Sequence, residues 1–197
     1  MSQKRKLLII DTETGGLDPA VQCILSIAAV VWSGGSVEDH YYTLIAEPEI
    51  VAEPGALKVN KLTVEQVQAE GVSPFDAFHG LHAMLQKHDM RSDVRLAGHN
   101  VAFDVGFLKR LFRLVGKTDK DYGKLFSYRS LCTQTGALLL EQAGRIDLPG
   151  GSASLDALVK LWAIKLDRTD GHNALADAFA TAEVLNRELK MMCVGMR

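Results

Sequence analysis

A mixed β-sheet flanked by helices, an α/β fold, is what this sequence predicts, and three observations carry it. Strand-like apolar runs crowd the first 45 residues, and helical stripes then alternate with short strands. The 197 residues suffice for one domain with a full core and not comfortably for two, so residues 1–197 are read as a single domain.

In chain order, residues 7–10, 24–32 and 37–45 read as strands, with Gly34-Gly35 as the hairpin turn between the last two. Residues 47–54 read as a loop. Ser73-Pro74 then opens a helix with Phe75, Phe78, Leu81 and Leu85 on its apolar stripe. A short buried strand follows at 94–97. Asn100 reads as the N-cap of a helix whose stripe is Phe103, Phe107, Leu108, Leu111 and Leu114. A polar loop at 117–124 precedes a helix at 133–142 and a Gly/Pro/Ser loop at 148–154. Ser154 caps a short helix through Leu161, and a last long helix runs from about Ala174 to Leu189. There are no internal repeats and no low-complexity tract.

Composition sets outer bounds. With 47% hydrophobic and 23% charged residues, the chain is an ordinary globular one. The longest apolar stretch, 24–32, is strand-sized, so no membrane span is expected. The basic start (Lys4, Arg5, Lys6) is followed by too few apolar residues for a signal peptide. Cys23, Cys132 and Cys193 are odd in number and lack C-x-x-C spacing, which predicts reduced thiols in a cytoplasmic protein and no zinc site. A net charge of −2 does not decide for or against a nucleic-acid partner.

The chemistry sits in the carboxylates. Asp11 and Glu13 are two apart behind an apolar strand, so their side chains share a face, and like charges that close repel unless a cation lies between them. Asp104 falls in the first turn of its helix, where the macrodipole favours the ionised form. His172 precedes Asp177 by five residues, about 140° apart on one continuous helix. Asn173 as N-cap instead puts His172 in the preceding loop, from which it can fold back towards Asp177. Taken singly, Asp104 reads as a helix-start residue and His172 as a capping or packing residue. Taken together, Asp11, Glu13, Asp104 and Asp177 balance the charge of two divalent cations. Oxygen-only ligands suit Mg²⁺ or Mn²⁺, and a nearby histidine can accept a proton. The combination fits two-metal phosphoryl chemistry.

Three stretches carry a family resemblance: Asp11-Thr12-Glu13 followed by Thr14-Gly15-Gly16-Leu17, Asn100 through Asp104, and His172 through Asp177. In order and spacing they resemble the D-x-E, N-x-x-F-D and H-x-A-x-x-D motifs of DnaQ-like 3′-to-5′ exonucleases, in the branch with four acidic ligands and a histidine. Residues 54–63 and 154–164 resemble further family segments. The resemblance implies a ribonuclease H-like fold with a five-stranded mixed sheet. It implies that the four carboxylates hold two metals with Asp11 bridging, and that His172 deprotonates the attacking water. The product would be a nucleoside 5′-monophosphate. It further implies that Thr14 and Leu17 contact the terminal nucleotide, that Asn60 lies near it, and that His99 and Asn100 lie near the strand behind it.

Single-stranded DNA is the first substrate expected, because an unpaired end can splay into such a site. Asn60 stands where proofreading subunits of bacterial replicases usually have histidine and resembles the ribonuclease T branch, so an RNA-trimming exoribonuclease is the alternative. A third reading is an inactive module that binds nucleic acid. Against it, all five motif positions are intact. The end of the chain soon after the last helix argues for a stand-alone exonuclease, and a polymerase partner is not indicated. The oligomeric state stays open.

The remaining candidates have plainer readings. His79, His82 and His88 read as helix positions without a completing ligand. Lys109, Arg110 and Arg113 fit either a phosphate-tracking stripe or a solvated helix face. Trp32 and Trp162 read as packed in the core or at its edge, and Asp147 and Asp156 receive no chemistry. Gly150-Gly151 lacks the lysine of a P-loop.

Overall fold

The computed structural model describes residues 6–166 and 173–193. Strands β1 (Leu7–Thr14), β2 (Ile24–Ser33), β3 (Ser36–Leu44), β4 (Arg95–Gly98) and β5 (Leu131–Cys132) form one sheet in the order β3-β2-β1-β4-β5. The β1–β2 and β2–β3 pairs are antiparallel, whereas β1–β4 and β4–β5 are parallel, so the sheet is mixed and five-stranded as expected. Gly34 and Gly35 turn the β2–β3 hairpin with φ of 60° and 102°, backbone that glycine adopts without a Cβ clash.

Eight α-helices surround the sheet among the described residues: α1 (Pro54–Asn60), α2 (Val64–Glu70), α3 (Pro74–Lys87), α4 (Val101–Leu114), α5 (Asp119–Leu125), α6 (Thr133–Gln142), α7 (Leu155–Leu161) and α8 (Ala174–Cys193). Strand alternation divides the core in two. Leu8 and Ile10 of β1 pack into the layer formed with α3 and α4, alongside Leu81, Leu85, Phe107 and Leu111. Leu7 and Ile9 point the other way, onto Ala174, Ala178, Ala182 and Leu185 of α8. With a layer on each side, β2 is buried at nine of its ten residues, which is why its sequence is a continuous apolar run. Trp32 is buried within the α8 layer, and Trp162 packs beside α7 against Leu155 and Leu158. Among the described residues, no helix is long and apolar enough to cross a membrane. All three cysteines are free.

Several expectations need correction. The supposed polar loop at 117–124 contains α5, started by a reciprocal capping box between Thr118 and Asp121. Seven residues with Tyr122 as their single buried side chain are too few for a helical period to register. Helices α1 and α2 likewise fill residues 54–70, where no helix was expected; Thr63 caps the second through its hydroxyl. Phe75 lies 60% exposed, outside the α3 stripe, and Leu114 is 37% exposed at the end of α4. Asn100 does precede α4, but it adopts a left-handed conformation (φ 59°, ψ 42°) and makes no side-chain cap. Asparagine tolerates that region better than most residues. His88 terminates α3 and pairs with Asp39 of β3 at 2.8 Å.

Candidate active site

The carboxylates gather where β1 outruns its neighbour. β4 pairs with β1 only as far as Ile9–Ala97, whereas β1 continues to Thr14 along β2. Residues 11–13 are therefore hydrogen-bonded to a strand on one side and open to helix ends on the other. Odd-numbered β1 residues face α8, so Asp11 and Glu13 continue the line begun by Leu7 and Ile9. Asp177, in the first turn of α8 and 5% exposed, comes down onto them. Asp11, Glu13 and Asp177 each offer an oxygen within 4.8 Å of the others.

Asp104 arrives from the opposite layer. It is 3% exposed in the first turn of α4, and Thr12, the even-numbered residue between the two β1 acids, donates its hydroxyl to Asp104 Oδ1 at 2.8 Å. Burial pushes the Asp104 carboxyl up to about 7, with the Glu13 charge adding to the rise and hydrogen bonds from Thr12 opposing it. The end of β1 thus brings three expected carboxylates together and sets the fourth beside them through Thr12, a residue the sequence reading passed over. Its signal was there: in D-x-E on a strand, the middle side chain must point to the layer opposite the acids.

His172 lies outside the described residues. His99, at the end of β4, shares a hydrogen bond of 3.0 Å with the Thr133 hydroxyl. Burial pushes its imidazole pKa down, against the Ala153 carbonyl and the charges of Asp177 and Asp156. Thr14 is buried and donates to the Gly16 carbonyl at 2.7 Å. Asn60, also buried, donates to the Thr14 carbonyl at 3.2 Å and accepts from the Leu62 N–H at 3.1 Å, which ties the end of α1 to the end of β1. Leu17 stands 81% exposed three residues beyond β1, and Asn100 is exposed at the start of α4.

The three basic residues of α4 have separate surroundings. Lys109 sits over the Tyr122 ring, and Arg113 pairs with Asp119 at 3.2 Å. Arg110 turns inward to Glu47, a buried acid the sequence reading left unremarked.

The donor set suits a divalent cation. It is all oxygen and partly buried, with three carboxylates close enough to share one ion.

Comparison with known proteins gives a consistent picture. A family model described as Exonuclease (RNase_T) matches residues 8–185. A curated relative, the DNA polymerase III PolC-type of Thermotoga maritima, is 28% identical over 193 residues, covering 94% of this chain but 12% of that protein. Among solved structures, E. coli Exonuclease I in complex with a dT13 oligonucleotide superposes with a TM-score of 0.76 at 20% identity, covering 92% of this chain and 40% of the other. The zinc-bound form of the E. coli ExoI–ssDNA complex gives 0.77 at 19% identity, covering 96% and 42%. The chain therefore spans about two fifths of those structures and a small part of the polymerase. The likeness establishes the ribonuclease H-like fold.

Proposed function

The chain belongs to the Exonuclease family RNase_T, and from that premise we propose that it is a metal-dependent 3′-to-5′ exonuclease acting on single-stranded nucleic acid, with DNA as the first substrate. The observation that carries this reading is the convergence of Asp11, Glu13 and Asp177 within 4.8 Å at the end of β1.

Asp11, Glu13, Asp104 and Asp177 would hold two divalent cations, Mg²⁺ or Mn²⁺, which supply charge neutralisation at the phosphodiester and acidify water when bound. The protein's own residues do the rest. His172 takes the proton of the attacking water, acting as general base near neutral pH. Thr12 orients Asp104 by donating to Oδ1. Leu17 offers an apolar surface to the last base, Thr14 contacts the same nucleotide, and His99 and Asn100 lie along the strand behind it. Support for the Leu17 role is its exposure on an otherwise hydrogen-bonded loop. Asn60 acts from behind, by holding α1 against β1.

RNA trimming is the second reading. It is favoured by Asn60, which fits the ribonuclease T branch, and the choice rests on contact with one 2′-hydroxyl. The PolC-type relative bears a polymerase name over a far longer chain, so attachment to a polymerase is a property of that protein.

The test uses 5′-labelled DNA and RNA single strands of one sequence with Mg²⁺ or Mn²⁺, an EDTA control and Asp104→Ala. A ladder shortening from the 3′ end, absent from both controls, is expected, and the faster substrate decides DNA against RNA. Folded wild-type protein that binds both strands and shortens neither would overturn the enzyme reading in favour of a binding module.

A further inference from the structure

Beyond the carboxylates, the most heavily engaged polar group on the α4 side is Arg110. Its Nε donates to Glu47 Oε1 at 2.9 Å and its Nη2 to Glu47 Oε2 at 2.6 Å, a fork-to-fork pair. The remaining nitrogen, Nη1, donates to the Pro19 carbonyl at 3.1 Å. Glu47 Oε1 also accepts the Ile24 N–H at 2.9 Å, and the two side chains are only 2% and 16% exposed. One guanidinium thus joins α4, the segment after β3 and the loop between β1 and β2.

That loop, residues 15–23, has internal hydrogen bonds of its own. Asp18 O accepts from the Val21 and Gln22 N–H groups, Gln22 Oε1 accepts from Asp18 N, and Asp18 Oδ1 accepts from Ala20 N. Pro19 lies against α4 at Gly106, where an added Cβ would come within 3.1 Å of the proline ring. Leu17 projects from this frame 81% exposed, next to the strand that bears Asp11 and Glu13. An apolar side chain held in solvent by a hydrogen-bonded loop is a contact ordered in advance of its ligand.

We infer that Arg110 and Glu47 are positioning residues: their ion pair clamps the loop of residues 15–23 to α4, and so fixes where Leu17 meets the end of a nucleic-acid strand relative to Asp104 on the same helix. The inference rests on the exonuclease reading. Stability alone is a poor account of the pair, because a buried ion pair roughly breaks even against apolar residues of the same volume. The third hydrogen bond, to Pro19, is what an apolar replacement could not make.

The experiment is a cycle on a labelled single strand, comparing wild type, Leu17→Ala, Glu47→Gln with Arg110→Gln, and all three substitutions together. The paired glutamines leave no buried charge unmatched. The glutamine pair is expected to raise KM on the order of tenfold with a smaller change in kcat, as misplacement of a substrate contact does. Leu17→Ala acts in the same direction, and the combination raises KM no further than the worse of the two. Arg110→Lys, which keeps the charge but not the fork, falls between wild type and the pair, and carries the same comparison with Leu17→Ala should the pair fail to fold. A combined KM equal to the product of the separate effects overturns the clamp, as does a lowered Tm with KM unmoved. If wild type cleaves no strand, the exonuclease reading fails by itself. The cycle is then read as oligonucleotide affinity by fluorescence anisotropy, where non-additivity still supports the clamp and additivity overturns it.

Discussion

Thr12 and Glu188 are the two residues whose chemistry most exceeds their prominence in the sequence. Thr12→Val keeps the volume near β1 and removes the hydroxyl that Asp104 accepts. Loss of a hydrogen bond to a buried acid costs on the order of 1 to 3 kcal/mol, to be read from urea unfolding in EDTA. Glu188 is 2% exposed on α8, its carboxyl packed flush against Gly136 of α6. Burial pushes its pKa from 4.5 up to about 8, with the charge of Cys132 adding to the rise. In the folded protein the acid therefore keeps its proton after the unfolded chain has lost it. The resulting stability is complete below pH 4.5, declines as pH rises towards 8, and is gone above it. Glu188→Gln should match wild type near pH 5 and exceed it at pH 9 in unfolding free energy, by an amount on the order of a few kcal/mol, read from urea unfolding. Equal pH slopes for the two proteins would remove Glu188 as the cause.

At the scale of elements, two glycines give opposite expectations. A Cβ at Gly15 would run into the backbone of Val51 and Ala52, which hold the start of the loop. Gly15→Ala should cost on the order of 1 to 3 kcal/mol by overpacking. Gly123 in α5 has open space around it, so Gly123→Ala should stabilise by about 0.5 to 1 kcal/mol through helix propensity; both are measured by urea denaturation. The same contrast explains what could be read from sequence. Strands β1 to β3 and helices α3, α4 and α8 bury long runs or stripes, and their periods stand out. Helix α6 begins and ends where its pattern says, at Thr133 and Gln142. Helices α1, α2 and α5 have seven residues each and a single buried side chain apiece, so no period emerges. In the site, Asp11, Glu13 and Asp177 were legible because strand alternation and the α8 stripe both point inward. That Asp104 meets Thr12 from the other layer was not, since a sequence does not say which face of a sheet a helix covers. Nor could Glu47 be matched with Arg110, 63 residues away.

For the whole molecule, the concentration of carboxylates at the end of the central strand predicts a linkage to divalent cations. A cation that binds the folded state alone stabilises by about 2.7 kcal/mol at a hundred times its Kd. For a chain of this size that corresponds to a rise in Tm of roughly 5 to 10 °C. Millimolar Mn²⁺ or Mg²⁺ should produce such a shift in differential scanning calorimetry, and Asp11→Asn with Asp177→Asn should abolish it. An unchanged Tm in wild type would count against the cluster as a metal site.

The two-layered origin of the carboxylates also orders events in time. Asp11, Glu13 and Asp104 precede α8 in the chain, and the packing of β1 against α4 requires nothing from Asp177. A nascent polypeptide could assemble the sheet with its α3–α4 layer while α8 is still inside the ribosome. It would hold three of the four acids and have no closed site. Regained activity in a refolding experiment should accordingly lag the far-ultraviolet signal of the strands and helices and coincide with the docking of α8. Until α8 docks, the cluster lacks Asp177 and cannot close around a cation.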